Sequence, residues 1–491
     1  MRLKGVKKDS YKPTNGDYLL IAFISASYMA LWISVGTLID YYNARYGPLF
    51  FLLLNTSFYA PGLPISIMQH RLDQQYDQYY GASATWFFRV LGSMFIILLC
   101  SLILPLLHSP AFVSLTVLLV GVATWTAHGA LTTITSLYPT KAVGYLQFGF
   151  QVPNVFVLAL VTGLGFYGLG KDDIVDYVEG VGGKGVIGIW GIKRLERFYW
   201  TTSLVLCLGL AAGFRVMKKK SFLGIREEYE RGITGELDSL GGEDPGWEEE
   251  GGGGDEEGGG GSGERETSIS DDTLVTPLLR DGSKEGSASS SSVTRGGGDE
   301  ELERAVLESI RTHRRVLFFT IFASIFSGSL FGNIPREREG GDNHVDLGQI
   351  LYFTRLFSDL GGRIATWIPR KYLISSIEGL FYVMVVRLLL LVMFVCYIFS
   401  PPSLRSDPGI IALVAVCAFQ SGYNAVLVYE LCGSVVCGLS GLGGEDGRAK
   451  AKAMATRALN MSFQYACAGA CVSNLIAVGV VMAMDNGENH G

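Results

Sequence analysis

The stretch WFFRVLGSMFIILLCSLILPLL, residues 86–107, decides the fold class of this chain. It holds one charged residue, Arg89, and its length is close to the ~20 apolar residues with which an α-helix crosses a bilayer. Blocks of the same kind recur along the 491 residues, separated by short polar joints, and only 18% of all residues are charged. A soluble protein carries charge on about a quarter of its residues. The sequence therefore predicts an all-α polytopic membrane protein.

We predict eleven transmembrane helices, arranged as six, a hydrophilic insert and then five. The first six cover residues 18–40, 49–69, 86–107, 111–137, 143–169 and 198–216, and the last five cover 315–335, 347–369, 374–399, 409–438 and 454–484. Two groups of helices joined by a linker are typical of transporters whose substrate site lies between the groups.

Orientation and domain limits follow from Lys and Arg, which favour cytosolic loops. This bias places the amino terminus in the cytosol and, with an odd number of helices, the carboxyl terminus outside. The predicted domains are a cytosolic tail, a first lobe, an acidic Gly/Ser-rich cytosolic loop, a second lobe and an extracytosolic tail, at residues 1–17, 18–216, 217–314, 315–485 and 486–491. The loop contains GGEDPGWEEEGGGG at 241–254, which is too polar to fold, so we expect disorder there.

The best candidate site lies in the eighth predicted helix, ILYFTRLFSDLGGRIATW, residues 350–367. Asp359 and Arg363 are four residues apart and share one helix face, with Tyr352 and Leu356 toward its amino-terminal side. Charges at bilayer depth cost about 2.5–3.5 kcal/mol, so such a pair is a candidate for function. An aromatic plane followed by an acceptor and a guanidinium suits a neutral polar ligand with a ring. The alternative is a structural ion pair that holds helices together.

Two further polar residues interrupt apolar helices. His128 lies in TWTAHGALTTITSLYP, residues 124–139. We interpret it as facing a cavity, where an imidazole binds a base or carries a proton, with a satisfied core residue as the alternative. Arg387 stands alone in VMVVRLLLLVMF, residues 383–394, and we expect it to pair with a neighbouring helix.

Several segments together resemble the equilibrative nucleoside transporter family (solute carrier family 29). Its layout of six helices, a large cytosolic loop and five helices is matched here. The eighth helix resembles the family's Asp-x-x-Gly-Arg as Asp359-Leu-Gly-Gly-Arg363, and the tenth resembles its Ser-Asn-Gly-Tyr as Gln420-Ser421-Gly422-Tyr423. The first helix is similar at Trp32, Thr37, Tyr41 and Tyr42. The resemblance implies a major-facilitator-like bundle that transports nucleosides by alternating access.

The resemblance also implies a site. Asp359 and Arg363 would bind the ribose hydroxyls and His128 would face the base, while apolar walls would come from Trp32, Tyr352, Leu356 and Ile334. The chain departs from the family pattern at three places. Ile33 and Leu356 stand where the family has asparagine, and His128 stands where relatives have a base-reading glutamine. The polar side of the pocket has therefore changed, while the Asp–Arg pair is retained.

Other functions remain open at this point: a carrier of a nucleobase or an organic cation, or a membrane scaffold whose insert is the working part. An enzyme is not expected, because the sequence has no nucleophile–base pair or metal set. We expect no cofactor, and as partners the nucleoside, the lipid bilayer and, through His128 or Glu430, protons, but no nucleic acid. The expected location is the plasma membrane, with an endomembrane as the alternative.

Overall fold

The structure is a computed structural model, and it describes residues 13–47, 49–139, 141–164, 194–219, 222–227, 229–230, 308, 310–331, 347–369, 372–401, 406–439 and 445–488. Several sequence predictions lie outside these residues. They are Ile334, most of the predicted tail at 1–17, most of the predicted loop at 217–314 and the last three residues of the chain.

Ten helices among the described residues form what we call the first half. They are α1 (Asn15–Thr37), α2 (Ile39–Tyr46), α3 (Phe50–Tyr59), α4 (Gly62–Tyr80), α5 (Ala82–Phe87), α6 (Ser93–Ile103), α7 (Pro110–Ser136), α8 (Lys141–Gly149), α9 (Pro153–Gly163) and α10 (Arg194–Met217). A π-helical turn, Phe88–Gly92, joins α5 to α6, and a 3₁₀ turn, Leu104–Leu106, follows α6.

The described residues of the second half form five helices. They are α11 (Arg311–Leu330), α12 (Leu347–Ala365), α13 (Ile377–Ile398), α14 (Asp407–Leu439) and α15 (Glu445–Glu488). All of the longer elements in the described part of the chain are helices, as a membrane fold requires, because a helix satisfies its own backbone hydrogen bonds in lipid.

Nine helical stretches among the described residues are long and apolar enough to cross a membrane. They account for nine of the eleven predicted segments, and the other two are α11 and α12. Arg355, Asp359 and Arg363 interrupt the apolar run of α12. The predicted all-α membrane fold is confirmed.

The predicted limits differ from the structure at two places. The fifth predicted helix breaks into α8 and α9 because Pro153, the first residue of α9, has no N–H to continue the helical ladder. The first half also extends past its predicted end at residue 216. Phe222 and Tyr229 are buried, and their rings pack 5.6 and 5.3 Å from that of Trp86. Phe222 and Tyr229 therefore belong to the packed bundle rather than to a disordered loop.

Helix α1 lies at the centre of the first half, and every residue from Ile24 to Thr37 is buried. An apolar helix surrounded on all sides is the expected consequence of a sequence with no polar stripe. Its amino-terminal end is fixed by Thr14, whose backbone N–H donates to Asp17 Oδ2 over 2.7 Å. Lys219, two residues after the end of α10, forms an ion pair with Asp17, with 2.6 Å between Nζ and Oδ1.

Glycine sets the closest helix contact in the second half, between α12 and α14. A Cβ on Gly422 would lie 1.9 Å from the backbone oxygen of Asp359, and one on Gly362 would lie 2.0 Å from that of Phe419. Small residues let helix backbones approach in membranes, where apolar burial alone does not drive association. The two halves meet where α15 packs on α3, α4 and α7, and where α8 packs on α12 and α14.

Candidate functional site

A cavity lies between the two halves, and we call it the central cavity. It encloses about 550 Å³ of empty space, its mouth included. The first half contributes residues of α1, α3 and the α8–α9 junction, and the second half contributes residues of α11 and α12. The lining consists of Met29, Trp32, Ile33, Gly36, Phe51, Asn55, Tyr59, Phe150, Gln151, Ile325, Gly328, Tyr352, Arg355 and Leu356. Apolar walls with a few polar groups are the usual make-up of a small-molecule site.

The break between α8 and α9 contributes two of these residues. Phe150 and Gln151 follow the last residue of α8 and precede the proline that begins α9. Gln151 Oε1 accepts a hydrogen bond of 2.5 Å from Asn154 Nδ2, which fixes the amide against α9. Interrupted helices at a site between repeats are a recurrent device in transporters.

The polar groups of the central cavity are two amides, one guanidinium and two phenols. Asn55 Nδ2 donates to Ser329 Oγ over 3.2 Å, and that hydroxyl lies 3.0 Å from Asn474 Oδ1. Arg355 is the charged residue of the described lining, which contains no Asp or Glu. The cavity therefore suits a neutral or anionic solute better than a cation.

Three predicted site residues line this cavity: Trp32, Tyr352 and Leu356. The Trp32 ring stacks on that of Phe58, with centroids 4.0 Å apart and planes 3° apart. Tyr352 reaches across to α1. A Cβ on Gly36 would lie only 2.3 Å from the Tyr352 hydroxyl oxygen. Glycine at position 36 is thus what allows this tyrosine to approach α1.

Asp359 and Arg363 lie further along α12 and are absent from the cavity lining. Both are buried, with 6% and 5% of their surface exposed. Arg363 Nε donates to Asp359 Oδ2 over 2.8 Å, and Nη1 donates to the backbone oxygen and Oε1 of Gln147 over 2.7 and 2.9 Å. Because Gln147 is on α8, this arginine joins the two halves.

His128 is also outside the described lining. It is 4% exposed, and its Nδ1 lies 2.6 Å from the hydroxyl of Tyr28 on α1. Its ring packs 5.1 Å from that of Phe150 and 4.9 Å from that of Phe463, measured between centroids. The histidine is therefore hydrogen-bonded within the bundle in this conformation.

Phe150 separates the central cavity from the polar residues behind it, which we call the polar cluster: Tyr28, His128, Gln147, Asp359 and Arg363. The ring lines the cavity on one side. On the other, the guanidinium carbon of Arg363 lies 5.9 Å from the ring centroid, within cation–π range. The polar cluster lies toward the end of the bundle at which α1 begins.

Four residues at or beside the site are not predicted from the sequence: Asn55, Gln147, Phe150 and Gln151. The amides at 147 and 151 are four residues apart in an apolar segment, which is the same spacing that drew attention to Asp359 and Arg363. Asn55 has no amide or charged residue at this spacing to mark it in the sequence. Its hydrogen-bond partner, Ser329, lies 274 residues further along the chain.

The predicted pairing of Arg387 with a neighbouring helix is not made by two of its three guanidinium nitrogens among the described residues. These nitrogens are Nε and Nη1, and the residue is buried, at 2% exposed. It lines a different cavity, within the second half.

No protein-family model matches the chain, and no curated protein matches it. Among solved structures the chain is similar to the major facilitator superfamily proton:xylose symporter XylE, with 10% identity over 96% of both chains and a TM-score of 0.45. It is similar to the human organic anion transporter MFSD10, with 13% identity over 96% of this chain and 99% of that one and a TM-score of 0.46. The E. coli fucose:proton symporter FucP gives 12% identity, coverage of 94% and 99%, and a TM-score of 0.41. A proposal of function therefore rests on the residues of the site.

Proposed function

We propose that the chain transports nucleosides across a membrane by alternating access. The observation that carries this proposal is the central cavity, which lies between the two halves and combines aromatic walls with amide and guanidinium groups. A ring stacked between aromatic side chains and hydrogen-bonded at its edge is the kind of ligand such a cavity suits. The resemblance of Asp359-x-x-Gly-Arg363 to the nucleoside transporter motif supports the same solute.

The solute would first occupy the central cavity. Trp32, Tyr352 and Leu356 would supply its walls, and Arg355, Asn55 and Gln151 would offer hydrogen bonds. The absence of carboxylates from the described lining argues against an organic cation. A neutral nucleoside needs no counter-charge and fits this chemistry.

Passage would then require the polar cluster to open. Phe150 would swing aside, and Arg363 would release the two oxygens of Gln147, which hold α12 against α8. Asp359 and Arg363 would thereby become free to bind the ribose hydroxyls, and His128 would face the base. Exchanging contacts between the halves for contacts with substrate links binding to the movement of one half against the other.

Uptake of radiolabelled adenosine and uridine into proteoliposomes, with and without an imposed pH gradient, tests this proposal. We expect saturable uptake that unlabelled nucleosides inhibit more strongly than free nucleobases do. Stimulation by the gradient would add proton coupling. Absence of uptake by protein that elutes as a single species in size-exclusion chromatography would reject the proposal.

Two neighbouring substitutions provide a matched pair for this assay. Leu356→Trp fills the cavity and should abolish uptake, whereas Phe357→Trp changes a residue that is 38% exposed on the outside of the bundle and should leave uptake unchanged. Equal uptake by the two variants would show that the central cavity is not the route.

A further inference from the structure

A second cavity lies wholly within the second half, between α11, α12, α13 and α14. It encloses about 370 Å³ of empty space, its mouth included. Its polar lining consists of Arg355, Arg387, Ser324, Ser327 and Cys417, and the rest of its wall is apolar. Two arginines thus face one small cavity deep in the bundle.

Two of the three guanidinium nitrogens of Arg387 have no hydrogen-bond partner among the described residues. They are Nε and Nη1, and the residue lies midway along α13 with 2% of its surface exposed. A guanidinium keeps its charge in any protein environment and carries five N–H donors. Buried charges in proteins are normally paired, because desolvation is otherwise too costly. Nε and Nη1 of Arg387 therefore lack a hydrogen-bonded anionic partner among the described residues.

Asp359 attracts the Arg387 guanidinium electrostatically, but it forms no hydrogen bond with Nε or Nη1. Among the described residues of α12 and α13, the charged side chains are three arginines and two acids: Arg355, Arg363, Arg387, Asp359 and the exposed Glu378 in the first turn of α13. Asp359 is already bound to Arg363 over 2.8 Å. This part of the second half therefore carries more positive than negative buried charge.

Arg355 is the second cation of the cavity. Its Nη2 lies 3.4 Å from Ser324 Oγ, which is long for a hydrogen bond to a charged group. Gly328 makes room for it, since a Cβ there would lie 1.9 Å from Nη1. Arg355 also lines the central cavity, so the two cavities share this side chain.

We propose that the second cavity binds a small monovalent anion, a halide or a short carboxylate, between Arg355 and Arg387, with the Ser324 hydroxyl as a further donor. The anion supplies a counter-charge inside the cavity, whose described lining holds two arginines and no Asp or Glu. Guanidinium groups bind carboxylates through paired N–H donors and tolerate spherical anions as well. Apolar walls at Leu391 and Phe394 favour weakly hydrated monovalent anions over sulfate, whose hydration is costly to remove. The site does not depend on which solute the chain transports.

Chloride binding to the purified full chain tests the proposal directly. We expect saturable broadening of the ³⁵Cl NMR line and a higher Tm in sodium chloride than in sodium gluconate at equal ionic strength. Both effects should be lost in Arg387→Leu and retained in Arg215→Leu, which removes an exposed arginine at the end of α10. A sodium acetate arm separates the two ligand classes, because a shift in acetate alone assigns the site to a carboxylate.

Arg387→Lys covers the case in which the leucine variant does not fold. This variant keeps the positive charge but loses the planar array of guanidinium N–H donors. Chloride should therefore still raise its Tm, with a weaker apparent affinity for chloride than the wild type has. The proposal is overturned if wild-type protein shows no saturable broadening and the same Tm in chloride, acetate and gluconate. It is equally overturned if a folded Arg387→Leu variant keeps the wild-type response.

Discussion

The two halves of the bundle bury different kinds of polar group. The first half pairs neutral groups across its helices, with distances of 2.6 Å for Tyr28–His128, Tyr42–Tyr199 and Ser101–Ser203. The second half buries arginines, of which Arg363 is bound to Asp359 and Gln147 while Arg387 has unpaired donors. The buried carboxylates of the first half, Asp17 and Asp77, lie at the start of α1 and near the end of α4, whereas the second half buries arginines in the middle and last turn of its helices.

This difference matters because neutral and charged groups carry different penalties when a partner is lost. A neutral hydrogen bond contributes about 0.5–1.5 kcal/mol to stability. Removing one partner of a buried ion pair costs about 3–5 kcal/mol, because the remaining charge is left without compensation. Substitutions of matched size in the two halves should therefore have unequal effects.

The largest effect is expected from Asp359→Leu. It leaves Arg363 with only the neutral oxygens of Gln147 as partners, and we expect a loss of about 3–5 kcal/mol, seen as a sharp fall in Tm or in the yield of monodisperse protein. The double variant Asp359→Leu/Arg363→Met removes both charges and should recover part of that loss. A double variant that is less stable than the single one would contradict the electrostatic explanation.

Glycine substitutions at helix crossings should affect the two halves alike. Gly422→Ala would place its Cβ 1.9 Å from the Asp359 backbone oxygen, and Gly149→Ala would place its Cβ 2.1 Å from that of Ala22. Each should lower stability by about 1–3 kcal/mol through overpacking, measured as a fall in Tm. Gly479→Ala, where a Cβ meets nothing within 4 Å, is the control. A difference between Gly422→Ala and Gly149→Ala as large as the effects themselves would mean that packing, not charge, distinguishes the halves.

Tyr28→Phe should have a smaller effect. It removes the hydroxyl that lies 2.6 Å from His128 Nδ1 and keeps the ring, so we expect a loss of about 1 kcal/mol in thermal unfolding. Tyr42→Phe, which breaks the neutral pair with Tyr199, should cost a similar amount. A loss as large as that of Asp359→Leu would show that the His128 site carries charge and is not part of a neutral framework.

The smallest effect is expected outside the apolar spans, at Asp77. Burial raises the pKa of this carboxyl above its usual 3.8, although Thr85, Arg89 and Tyr229 oppose the shift. The folded chain therefore takes up a proton at higher pH than the unfolded chain does, and the site stabilises the fold more as pH falls through that raised pKa. On acidification toward pH ~4, wild-type Tm should fall less than that of Asp77→Asn. Parallel Tm curves would argue against the raised pKa.

Much of the fold could be predicted from the sequence because lipid imposes a simple rule. Backbone groups in a bilayer must be satisfied within the segment, so apolar runs near 20 residues long become helices. The sequence predicts α12 as a membrane-spanning helix although it carries three charges, Arg355, Asp359 and Arg363. These residues follow one another at intervals of four, which is the spacing of neighbours on a helix surface. The limits of the fifth helix and of the insert were less predictable, since a break at Pro153 and the burial of Phe222 depend on contacts with other helices.

By itself, the sequence determined the all-helical membrane fold and the pairing of Asp359 with Arg363, because both depend on local spacing along one helix. Only the tertiary structure decided which polar residues face a cavity. Phe150 separates Arg363 and His128 from the cavity that Trp32, Tyr352 and Leu356 line, and Arg387 faces a second cavity beside Arg355. The physical reason is that the helical period fixes the direction of a side chain relative to its own helix. The packing of helices from distant parts of the chain determines which residues or cavity that side chain then contacts.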